Sequence, residues 1–211
     1  MRAHITKKKA VLIVCIVLTV LAAAAAAGYF GYGATLLDPN SDESIKSIVS
    51  KKRYGTKDGL GDQEIEIICK EQYGDYFAVL FQTLPQGNAE KGGTYFSVYK
   101  KHNYYKNRYI YESGTRDANG YEGPLYCQIP ATNSAHMLCF FADTSGNAPI
   151  CSVIEMDPEN AEYPYYRKVE ELEVPQNEPY IFVKEYDLAK SGNSIVCLEG
   201  SVEDIPGMRN S

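Results

Sequence analysis

The chain has 211 residues, 45% of them hydrophobic, and a net charge of −6 from 21 basic and 27 acidic side chains. Four of the basic residues, Arg2, Lys7, Lys8 and Lys9, precede the first acidic one, so the remainder carries 17 against 27, about −10. That balance excludes nucleic acid as a partner, because backbone phosphates need a clustered basic footprint, and it argues against a second docking onto anionic lipid.

Lys7, Lys8 and Lys9 run straight into 18 residues, Ala10 to Ala27, that are apolar except for Thr19. At about 1.5 Å per residue, a helix of 18–20 residues spans about 27–30 Å, the thickness of a hydrocarbon core. Lipid offers no partners to unpaired backbone groups, so the segment is helical. Thr19 is expected to bond back to a carbonyl one turn earlier. The basic cluster keeps the N-terminus cytoplasmic by the positive-inside rule, and Tyr29, Phe30 and Tyr32 fall where an interfacial aromatic belt sits. The alternative is secretion after cleavage near Ala27, at the small residues Ala25-Ala26-Ala27. A cleaved signal has a shorter apolar core and leaves the belt unexplained. The expected organisation is a basic cytoplasmic tail over 1–9, a transmembrane anchor over 10–32, a linker over 33–40 and one extracytoplasmic domain over 41–211.

After a spacer from Leu36 to Asn40, the pattern predicts a short amphipathic helix from about Ser41 to Arg53. Asn40 is the expected N-cap with Glu43 three residues on, Ile45, Ile48 and Val49 form the apolar stripe, and Gly55 follows as a stop. Lys51, Lys52 and Arg53 compensate the helix dipole. From Glu64 onward the period becomes that of strands. Glu64–Gln72 and Asp75–Leu84 form one predicted hairpin, and Thr94–Lys101 with Lys106–Ser113 a second. A short strand follows near Leu125–Ile129. His136–Asp143 is expected to pair with Ile150–Met156, Tyr165–Val174 to follow, and Pro179–Tyr186 to pair with Ser194–Glu199. The tail from Val202 reads as loop. The fold class is therefore mainly β, an antiparallel meander of hairpins, sandwich or barrel-like, preceded by the two helices. Tyr95, Met137 and Tyr180 open similar aromatic strands 42 and 43 residues apart, a spacing shared by divergent repeats, as in propellers, and by a plain meander.

Five cysteines follow the anchor: Cys69, Cys127, Cys139, Cys151 and Cys197. An odd number leaves one unpaired within a single chain, and most share strand parity with core residues: Cys69 with Ile65 and Ile67, Cys127 with Leu125 and Ile129, Cys139 with Met137 and Phe141. Cys139 and Cys151 flank the turn Thr144–Asn147 and face each other if the hairpin register permits. His102 and His136 lack the clustered partners of a metal site, and no glycine loop suited to phosphate is present, so neither metal nor cofactor is expected. His136, Cys197 and Arg209 occur in that order, 61 and 12 residues apart. That layout resembles the sortases, anchored transpeptidases with an all-β barrel outside the membrane. The resemblance implies a cysteine transpeptidase using these three residues. Sortases place Thr-Leu-x-Thr before the cysteine, whereas Asn193-Ser194-Ile195-Val196 precedes Cys197 here, so the nucleophile's local motif is unmatched.

Eighteen tyrosines and no tryptophan make the aromatic surface the expected binding feature. Tyr104, Tyr105, Arg108, Tyr109 and Tyr111 crowd one hairpin, and Tyr165, Tyr166 and Arg167 another. Tyrosine beside arginine is the composition of interface hot spots and also suits stacking on sugar rings. The lysine-led anchor and the hairpins resemble uncharacterised membrane-anchored β-domain proteins of Gram-positive bacteria. The expected function is non-enzymatic binding at the cell envelope, to an envelope protein or a cell-wall glycan, or service as a structural subunit of a membrane complex.

Overall fold

The computed structural model describes residues 7–54, 60–84, 92–117, 124–130, 136–144, 150–157, 165–187 and 194–199. Half of the described residues are in strands. The first element, α1 (Lys7–Gly33), contains Val11–Gly33, 23 residues that are long and apolar enough to cross a membrane and that are exposed from Val11 to Tyr32. Thr19 donates its hydroxyl to the Cys15 carbonyl at 2.9 Å, the expected internal satisfaction of a polar group in this helix.

The second helix, α2 (Asp42–Val49), is shorter than the pattern predicted and begins one residue later. Ser41, not Asn40, is the N-cap: its hydroxyl accepts from the Ser44 N–H at 3.1 Å, while the Asn40 N–H donates to the Asp38 carboxylate. A serine oxygen satisfies an orphan donor of the first turn. The basic run expected in the last turn lies beyond the helix, with Lys52 placed over the Tyr111 ring, 5.0 Å from its centre. Ile45, Ile48 and Val49 face inward as expected.

Among the described residues ten strands follow: β1 (Ile65–Tyr73), β2 (Tyr76–Thr83), β3 (Thr94–Lys101), β4 (Tyr109–Arg116), β5 (Leu125–Pro130), β6 (His136–Asp143), β7 (Ile150–Asp157), β8 (Tyr165–Glu173), β9 (Tyr180–Asp187) and β10 (Ser194–Glu199). They form three antiparallel sheets, ordered β1-β2-β3-β4, β5-β6-β9 and β10-β7-β8. Packing stacks these into layers. One face of the four-stranded sheet carries Phe77, Val79, Phe81, Tyr95 and Tyr99 against Leu37, α2 and Tyr54. Its other face places Ala78, Leu80, Phe96 and Val98 against Leu125, Ile129, Leu138 and Phe140 of the middle sheet. The far side of the middle sheet then sets Cys139, Phe141 and Tyr180 against Cys151, Val153, Leu172 and Cys197 of the outer sheet.

The predicted hairpins β1–β2 and β3–β4 are present. The other two predicted pairings are not: β6 pairs with β9 rather than β7, and β10 pairs with β7 rather than β9. The reason is burial on two faces. β6 presents Leu138, Phe140 and Ala142 to one core and Cys139 and Phe141 to the next, and β9 likewise divides Ile181 and Val183 from Tyr180 and Phe182. Strands apolar on both faces need cover on both sides, so these two share the middle layer. β8, with Glu171 and Glu173 exposed and Leu172 buried, has one apolar face and lies in the outer sheet. The three aromatic strands therefore form no radial repeat. β3 lies in one sheet, whereas β6 and β9 are neighbours in another.

Parity also fails locally at Cys69. The register of β1 shifts between Ile67 and Cys69, a bulge that leaves Ile68 extra. Ile65 and Ile67 pack toward α2, whereas Ile68 and Cys69 pack toward the middle sheet. One added residue reverses the face of everything beyond it.

Candidate functional site

The densest arrangement of expected binding residues lies in the β3–β4 loop. His102 donates its N–H to the Arg108 carbonyl at 2.8 Å and Arg108 to the Tyr105 carbonyl at 3.3 Å, with Asn107 in the left-handed region at φ 55°. That tight loop projects Tyr105 onto the end of α1. Its ring stacks on Tyr29 with centres 4.4 Å apart and planes 18° from parallel, and its hydroxyl donates to the Tyr29 carbonyl at 2.7 Å. Tyr32 and His102 flank it at 5.7 and 5.0 Å. Gly33 makes the approach possible, because a Cβ there would stand 2.9 Å from the Tyr105 ring. Desolvation, then the neighbouring Tyr29 and Tyr32 phenols, hold the Tyr105 hydroxyl above its usual range.

Next to this stack the chain between the helices is tied to β4. Leu37 and Tyr109 exchange both backbone hydrogen bonds, at 2.9 and 3.0 Å, and Leu37 is wholly buried. Asp38 forms an ion pair with Arg108, and its N–H donates to the Ser44 hydroxyl at 3.0 Å. The stretch expected as a linker thus packs into the domain, joined to it by ring stacking, backbone bonds and an ion pair.

The expected binding residues have different placements as a result. Tyr105 is engaged with α1, and Arg108 with Asp38. Tyr109 is 3% exposed and packs against Phe77 at 5.6 Å. Tyr111 is half-buried against Tyr99, under Lys52. Tyr104, 83% exposed, presents most of its ring to solvent. The Tyr165, Tyr166 and Arg167 backbone begins β8, opposite Asp157, Met156 and Glu155, and their side chains lie outside the described residues. Tyr29, Tyr32 and Asp38 belong to the same constellation and were not expected in it. The complementary charges of Asp38 and Arg108 are a signal in retrospect, yet 70 residues of chain separate them.

A second cluster is formed by thiols. Cys139, Cys151 and Cys197 meet where the middle and outer sheets pack, and none of the three is in a disulfide. The Cys151 sulfur and the Tyr180 hydroxyl are 3.2 Å apart. Cys139 and Cys151 thus share one core between two sheets, but the hairpin that was to set them face to face does not form. The Cys197 thiol is pushed far above its ordinary range by its hydrogen bond with Cys151 and by burial, and burial pushes Cys139 up to about 12. His136 is partly exposed at the start of β6, its Nδ1 4.0 Å from the Glu185 carboxylate. Arg209 lies outside the described residues. Of the three residues that carry the sortase resemblance, Cys197 is thus 0% exposed and held as a neutral thiol. A nucleophilic cysteine needs the opposite, a lowered pKa and access. Among the described residues, no three His, Cys, Asp or Glu side chains group as a metal-binding set.

A third feature is an open cleft of about 370 Å³ between α2 and the start of β1, lined by Asp42, Lys46, Glu64 to Ile67, and Leu84. Lys70 bonds the Asp42 carboxylate at 2.7 Å and holds its pKa below the usual range, first by that hydrogen bond and then by its charge. Gln82 donates to Glu66 at 2.7 Å. Compared with protein-family models, with curated proteins and with solved structures, the chain matches none of them.

Proposed function

We propose that the protein is a single-pass membrane-anchored binding module of the cell envelope. Its N-terminus is cytoplasmic and its β domain lies outside, held in a fixed attitude to the bilayer. The observation that carries this reading is the junction. An apolar helix that is exposed along most of its length is nevertheless joined to the fold at its end through Tyr105, Leu37 and Asp38. A long apolar helix left exposed is costly in water and suited to lipid. Lys7, Lys8 and Lys9 at its start favour the cytoplasmic side for that end. The sealed, neutral Cys197 supports binding over cysteine transpeptidation. A structural subunit of a membrane complex shares the anchored topology.

Topology is tested in cells bearing the full chain. Alkaline carbonate should leave it in the membrane fraction, and protease added to spheroplasts should digest the β domain while sparing the N-terminal tail. An intact mass beginning near Gly28, with the protein in the medium, indicates cleavage instead and removes the anchor reading.

A further inference from the structure

The β3–β4 loop lies at the level of the last turn of α1, and that has a consequence for the surface around it. Counted from Lys9, Ala10 to Ala27 cover about 27 Å of rise, so Tyr29, Phe30 and Tyr32 arrive at the far headgroup layer. Tyr105 stacks on Tyr29 and bonds its carbonyl, so the loop holds the same depth. Rings continue sideways from there. His102 is 5.7 Å from Tyr32, and Tyr104 is 5.9 Å from His102. The β1–β2 turn belongs to the same rim, because Lys101 donates its N–H to the Asp75 carbonyl at 2.7 Å and Tyr76 pairs with Lys100. This rim therefore carries exposed Tyr73 and Tyr104 together with exposed Lys106 and with Lys101, whose ammonium lies 3.9 Å from the Asp75 carboxylate.

We propose that this rim is a second membrane contact, with Tyr104 seated in the phospholipid headgroup layer of the bilayer that α1 crosses. Tyrosine has an apolar ring and a polar tip, the composition enriched at that depth, and lysine stems extend from it to the phosphates. The proposal rests on the anchor reading above. It also accounts for an exposed aromatic loop on a domain of acidic net charge: contact is made by rings beside local lysines, not by the overall field.

The absence of tryptophan from the chain makes single-tryptophan reporters available. Three full-length variants, Tyr104→Trp, Gln63→Trp at the opposite end of the sheet and Val17→Trp within α1, are reconstituted in phosphatidylcholine vesicles. The lipids carry bromine either near the headgroup end of the acyl chains or deep within them. The expected result is a blue-shifted emission for Tyr104→Trp that shallow bromine quenches, with Gln63→Trp unquenched and Val17→Trp quenched by deep bromine. If Val17→Trp is quenched and Tyr104→Trp loses no more emission than Gln63→Trp, the second contact is overturned and the anchor stands. If Val17→Trp is not quenched, both are overturned.

Discussion

Cys139, Cys151 and Cys197 are small apolar side chains that carry a titratable proton, and burial decides which property dominates. Desolvation raises Cys127 and Cys139 from 9.0 to about 12, and the half-buried Cys69 to about 11. The thiolate is the reactive form, so among the five cysteines that follow the anchor a maleimide near neutral pH should modify Cys69 first. Cys127, Cys139, Cys151 and Cys197 should react only on unfolding, which mass spectrometry of the labelled protein reads directly. Linkage gives the pH dependence. A folded pKa above the unfolded value favours the fold while both states are protonated, and that advantage is present in full below pH 9. It is lost as the pH rises from about 9 toward 12, because the unfolded chain releases these protons first. Unfolding midpoints in denaturant should therefore be flat with pH up to about 9 and fall above it; stability that rises there would contradict the buried thiols.

At the scale of elements, the junction of α1 with the β3–β4 hairpin is the feature to perturb. Tyr105→Ala removes a stacked ring and a hydrogen bond and opens space beside Gly33 without touching the sheet core. The Leu37 and Tyr109 amides, which bond each other's carbonyls, should then exchange hydrogen several-fold faster, while amides of β2 keep their protection. Unchanged exchange at Leu37 would mean that the Asp38–Arg108 pair and the buried Leu37 hold the junction alone. The sequence named Tyr105, Arg108 and Tyr109 as a group, and they do share one loop and the strand it enters. Their orientation was not legible. Whether an aromatic loop faces solvent or a helix depends on contacts 70 or more residues away, which no local pattern encodes. The helix α2 illustrates the opposite case: its apolar stripe was readable from spacing alone, while its cap fell one residue later because Ser41 competes with Asn40 for the same role.

For the whole molecule, the middle sheet joins the two cores that flank it. Phe140 is fully buried between the four-stranded and middle sheets and meets Tyr76 edge-on at 5.6 Å. Phe140→Ala should cost about 3–5 kcal/mol, the usual range for truncating a buried phenylalanine, read from the unfolding midpoint at constant slope. Because β6 also supplies Cys139 and Phe141 to the other core, the loss should appear as one cooperative transition. Two separate transitions would mean that the layers fold independently.

Local spacing by itself determined much of this protein: a lysine-led helix long enough for a bilayer, a short amphipathic helix, ten strands in order, and cysteines as core residues. Each of these follows from a period or a length that neighbouring residues carry. Which strand lies beside which, which face Cys69 takes beyond its bulge, and where Tyr105 points were decided only in the tertiary structure. Any two antiparallel strands satisfy the same alternation, so the choice of partner falls to burial on two faces and to contacts between distant segments. The same limit explains the junction, where Tyr29 and Tyr105 meet only after the hairpin has folded onto the helix.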